Sequence, residues 1–156
     1  MTTCTARPIA PEVLKELRTA DDAGRTPVPV TDEEGGSPLR CCLRHSRPGE
    51  RIALVSYAPL RRWAAETGAA PGPYDEQGPV FVHAEECAGP QGDGLPFTNA
   101  HRVLRRYSAD GRILGGELVT DGFEEALHKA FDDPSVALVH VRAVEYGCFY
   151  YEVRRG

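Results

Sequence analysis

The sequence predicts an α+β fold with a mostly antiparallel sheet, and three observations carry that expectation. Short apolar, β-branched runs recur between clusters of Pro, Gly and Asp, the pattern of strands separated by turns. One segment late in the chain has the spacing of an amphipathic helix. Most of the remaining connections fall short of the dozen or more residues that a βαβ crossover needs. At 156 residues the chain has the size of one globular domain (1–156) and buries enough apolar surface to need neither disulfides nor a structural metal. It reads as an N-terminal helix and loop over 1–37 and a core over 38–155.

Element by element, Pro11 to Arg18 sets Val13, Leu14 and Leu17 at helical spacing behind a proline suited to a first turn, which predicts a short N-terminal helix. Asp21 to Pro38 is rich in turn formers and predicts a surface loop or edge strand. Arg51 to Tyr57 predicts a buried strand, Arg61 to Thr67 a helical turn carrying Trp63, and Val80 to His83 a short strand. Glu85 to Asn99 predicts a long irregular loop. Val103 to Tyr107 and Arg112 to Val119 flank an Asp-Gly turn and predict a hairpin, with Gly115-Gly116 as a strand irregularity. Phe123, Ala126, Leu127, Ala130 and Phe131 repeat at i, i+3, i+4, i+7 and i+8, so the one well-formed helix spans about 122–131, with Asp121 as its expected cap and Pro134 beyond its end. Val136 to Arg142 and Cys148 to Val153 close the chain as a second hairpin.

Charge excludes some classes. The 18 basic side chains, all Arg apart from Lys15 and Lys129, face 23 acidic ones, for a net charge of -5. No basic stretch exists to neutralise phosphates, so no nucleic-acid partner is expected. No apolar run approaches membrane-spanning length, so no membrane partner is expected either. Without a secretory signal pattern, and with an odd number of cysteines, two of them adjacent, the expected compartment is the cytoplasm and the thiols are expected to be reduced. Composition leaves the oligomeric state open.

Strict alternation in the terminal hairpin sets Val139, Val141, Phe149, Tyr151 and Val153 on one face and His140, Arg142, Cys148, Tyr150 and Glu152 on the other. The second set joins a proton carrier, a cation, a thiol and a phenol. It suggests a pocket for a small polar or anionic molecule, with Arg142 holding negative charge, His140 exchanging protons, Cys148 as a thiol nucleophile beside it and Tyr150 orienting the ligand. His83 and Cys42 are further candidate ligand-binding residues. An ordinary solvated sheet face explains the same pattern.

A second reading comes from the cysteines and histidines. Cys41 and Cys42 precede His45, and His83 precedes Cys87, spacings found in halves of tetrahedral zinc sites. A zinc-binding protein using Cys42, His83 and Cys87 with His140 or Cys148 is therefore the alternative. The pattern requires no cofactor. A third possibility is an interaction module without chemistry. No phosphate loop, dinucleotide fingerprint or nucleophile elbow occurs.

Several segments taken together resemble one family. Leu39 to Arg44, Pro48 to Tyr57, Tyr74 with Gly78 to His83 and Cys87, Leu104 to Gly111, Val139 to Arg142 and Gly147 to Phe149 stand in the order seen in the bacterial domain of unknown function family 1203. The resemblance covers roughly residues 38 to 155 and implies a small bacterial single-domain protein, with no activity to carry over. In that family the first motif often reads Cys-Arg-His-Cys. Cys41 then stands where a His is common and Leu39 where a Cys is common, while Cys42, His83, Cys87, His140 and Cys148 match.

Overall fold

The computed structural model describes residues 4–92 and 94–155. The described residues form three α-helices, a 3-10 turn at Gly72–Tyr74 and nine strands in two sheets, which makes the fold α+β. Two compact units each contain one sheet.

The unit built from residues 8–57 and 77–92 holds α1 (Pro11–Thr19), β1 (Val30–Asp32), β2 (Pro38–Leu39), β3 (Arg44–His45), β4 (Glu50–Tyr57) and β5 (Gly78–His83), in the sheet order β1-β4-β5-β2-β3. Ile52, Val55, Val80 and Val82 are buried in its central strands, and α1, packed on β4, buries Leu14 and Leu17. The β2–β3 hairpin has no apolar period of its own. Polar residues at its base hold it: Asp32 at the end of β1 accepts hydrogen bonds from the Ser37 and Ser46 hydroxyls, and the Ser37 backbone N–H donates to Ser46 Oγ. β2 then pairs parallel to β5 through Leu39 and Phe81, the one parallel contact among the described strands.

The second unit, whose described residues are 4–7, 58–76 and 94–155, holds α2 (Pro59–Thr67), β6 (Arg102–Ser108), β7 (Ile113–Val119), α3 (Phe123–Phe131), β8 (Val136–Ala143) and β9 (Phe149–Arg154). Its sheet runs β7-β6-β8-β9, antiparallel throughout. The α3 stripe is buried at Phe123, Leu127 and Ala130, and α3 packs on β8. Leu60 and Trp63 of α2 form a core with Tyr107 and Leu138. The cap differs from expectation. Gly122, in the left-handed region at φ 62°, is the N-cap of α3, and no side chain caps the helix. Gly115 fulfils its role as an irregularity: the β6–β7 register shifts beside it, and a Cβ there would lie 2.5 Å from the Arg106 guanidinium.

The terminal hairpin departs from strict alternation. His140 pairs with Glu152 and Val141 with Tyr151, but Arg142 pairs with Phe149, so Tyr150 is the extra residue of a bulge. Beyond the bulge the faces exchange: Phe149 meets the His140 ring edge-on at 5.0 Å, while Tyr150 stacks on Phe97 at 4.9 Å and lies under the Arg102 guanidinium. Nor is the polar face solvated, since His140 is only 1% exposed and Glu152 7%. Among the described residues no helix is long and apolar enough to cross a membrane.

Candidate metal centre

Four potential donors converge in the first unit: Cys41, Cys42, His83 and Cys87, with one ligand atom of each lying within 4.8 Å of the others. The topology explains this. Parallel pairing of β2 with β5, extended by a hydrogen bond from the Arg40 N–H to the Phe81 carbonyl, lays the turn after β2 beside the end of β5, where His83 stands. Leu43, at φ 57° and with its N–H on the Leu39 carbonyl, tightens that turn and leaves both cysteines on one side of it. Cys87 follows four residues after His83 in a segment without helix or strand.

The distances suit one metal ion. Zn–S bonds of about 2.3 Å and Zn–N bonds of about 2.0 Å in a tetrahedron place neighbouring donors roughly 3.5–3.8 Å apart. Here Cys41 Sγ lies 3.3 Å and Cys42 Sγ 3.8 Å from His83 Nδ1, and the two sulfurs are 3.9 Å apart.

The surroundings orient the donors. His83 Nε2 lies 2.8 Å from Glu50 Oε2, so Nε2–H donates to the carboxylate and the Nδ1 lone pair faces the sulfurs. Glu50 is itself gripped by both terminal nitrogens of Arg44, at 2.8 and 2.9 Å, and by the Arg47 N–H. The Arg44 hydrogen bonds and charge hold the Glu50 carboxyl well below the usual carboxylate range. The His83 N–H also donates to Cys41 Sγ at 3.2 Å. The adjacent thiols share a hydrogen bond: the Cys41 contact draws the Cys42 thiol down to about 6, helped by the Arg44 charge, while Cys41 is held above the ordinary thiol range. A cavity of about 300 Å³ adjoins the cluster, lined by Cys42, His83, Cys87, Arg44, Arg47 and Gln91.

The structure thus joins Cys42, His83 and Cys87 of the alternative reading, with Cys41, named in the same half-site spacing, as the fourth donor where that reading set His140 or Cys148. His140 belongs to the other unit, enclosed between the Tyr107 and Phe149 rings with Nε2 3.0 Å from Glu152 Oε1. Desolvation lowers its pKa, so the ring is neutral, Nε2–H donates to Glu152, and the buried Nδ1 has no hydrogen-bond partner among the described residues. His45 is exposed on β3, outside the cluster. Cys148 is half-buried with its thiol near the Tyr146 carbonyl, and Arg142 donates to the Gly147 carbonyl and contacts Glu76. Glu50 and Arg44 escaped the sequence reading. An acidic residue at the start of a strand is common, and only folding brings it to a histidine 33 positions away.

The sequence profile of the family described as protein of unknown function (DUF1203) matches residues 36–155. No curated protein and no solved structure matches the chain.

Proposed function

The chain belongs to the DUF1203 family of proteins of unknown function, and we propose that this member is a metal-binding protein that holds one zinc ion on Cys41, Cys42, His83 and Cys87. The single observation that carries the reading is His83, which turns Nδ1 to two sulfurs while Nε2 is fixed by Glu50. A carboxylate–histidine pair of this kind sets the tautomer that a metal needs. The compact donor set leaves room for one ion. Zinc is favoured because thiolates select soft or borderline ions and tetrahedral S/N donors suit it. Zinc would tie the turn after β2 to the end of β5. The test is metal analysis of untagged protein: one zinc per chain is expected, and its absence from both the purified and the zinc-titrated chain overturns the reading.

A second reading keeps the terminal hairpin as a site for a small anionic molecule. It is favoured by Arg105 and Arg142, which share Glu76 Oε1 at 2.6 and 3.2 Å, so that two guanidinium groups divide one carboxylate that is half exposed. An incoming carboxylate or phosphate would take the place of Glu76. Melting curves with a panel of small carboxylates and phosphates test it. A ligand should raise the midpoint of the parent and not of Arg142→Ala, and a panel without effect on the parent ends this reading.

A further inference from the structure

The four donors are not held alike. Cys41 and Cys42 are 2% and 6% exposed, and their turn is fixed by the β2–β5 pairing. His83 is fixed at both ends of its ring and through its own N–H. Cys87 is half-buried, sits on a segment without helix or strand, and its thiol makes no hydrogen bond among the described residues. It also lines both the 300 Å³ cavity and a second cavity of about 600 Å³ beside α1. The three fixed donors make a Cys2His set, which in zinc enzymes leaves the fourth coordination position to water or substrate.

We infer that Cys87 is an exchangeable ligand, and that the position it fills is a binding position for a small anion, a carboxylate in the first instance, entering from the 300 Å³ cavity. This rests on the metal-binding reading. In the exchange the anion's lone pair replaces the Cys87 thiolate at the metal, and the released thiolate takes a proton from solvent; nothing is oxidised or reduced. The cavity wall suits the charge. Arg44, Arg47 and Gln91 line it together with the donors, so an anion in the cavity shares it with two cations and an amide.

The experiment uses the whole chain loaded with cobalt(II), whose visible spectrum reports coordination, with acetate and azide as probes. Cys87→Ala should still bind one cobalt, weakened by less than about 10-fold. Cys42→Ala should lose more than about 100-fold, beyond the range for losing a residue that merely supports a ligand. Acetate and azide should change the spectrum of Cys87→Ala, and Arg47→Ala added to it should weaken that response. In the unsubstituted, cobalt-loaded chain, N-ethylmaleimide should modify Cys87 ahead of Cys41 and Cys42, with the metal retained. Equal loss of cobalt in the two single variants, a spectrum indifferent to both probes, or labelling that starts at Cys41 or Cys42 overturns the inference. Should the unsubstituted chain bind neither zinc nor cobalt, the metal-binding reading itself fails; if it binds and only the Cys87 results go against expectation, that reading stands.

Discussion

Glu50 tests the metal centre without removing a donor atom. Glu50→Gln keeps the shape at His83 but removes the charge that fixes its tautomer and the partner of Arg44. Zinc affinity is expected to fall by about 10- to 100-fold, measured by competition with a chromophoric chelator. An unchanged affinity would show that Glu50 serves only the Arg44 ion pair. At this scale the sequence was a partial guide. Spacing marks Cys42, His83 and Cys87 as candidates because half-sites are local. The choice of Cys41 over His140 was not legible, because it depends on a parallel strand pairing between segments some forty residues apart, for which no local pattern exists.

Among the elements, α3 is the plainest case of periodicity becoming packing. Leu127 is fully buried, so Leu127→Ala is expected to destabilise by about 2 to 5 kcal/mol in chemical denaturation. A loss under half of about 1 kcal/mol would mean that the stripe faces elsewhere. Gly115→Ala should also destabilise, by about 1 to 3 kcal/mol, because a φ of 150° is one that side-chain-bearing residues rarely adopt, while the Arg106 guanidinium can swing away from the added methyl. Helices α1 and α3 and most of the strands from β4 to β9 were legible because each carries its own apolar run or period, and β7, which buries only Val119, was legible from the Asp-Gly turn before it. The two-residue strands β2 and β3 were not, since Asp32 and two serines hold them rather than apolar alternation. The bulge at Tyr150 was equally hidden: no glycine marks it, and it alone moves Phe149 to the His140 side.

For the molecule as a whole, acid should act through the buried His140–Glu152 pair. Burial alone would raise Glu152, but the His140 hydrogen bond and the Arg154 charge overcome it and its pKa is lowered; desolvation lowers His140 as well. Both folded pKa values lie below their unfolded counterparts, so in each case the unfolded chain binds protons first as pH falls. Stability should therefore be level above about pH 7, begin to fall near the unfolded histidine value of about 6.5, and fall further as carboxylates titrate near about 4.3. Melting of the metal-free chain between pH 4 and 8, compared with His140→Phe, checks this, using about one midpoint reading per pH unit. The variant should lose the first of the two declines; if its curve parallels the parent's, the pair is not the acid-sensitive element.

The parallel contact between β2 and β5 also has a meaning in the language of chain statistics. A metal on Cys41 and His83 joins residues 42 positions apart, so it closes a loop of that length in any state of the chain that keeps both bonds. By the loop-closure estimate used for disulfides, a ring of that size removes about 4 kcal/mol of conformational freedom from an unfolded chain that retains the link. Helix α2 and the 3-10 turn lie within that ring, between β4 and β5. A single ion at one end of a five-stranded sheet would therefore act as a reversible staple on a stretch of polymer much longer than the site itself.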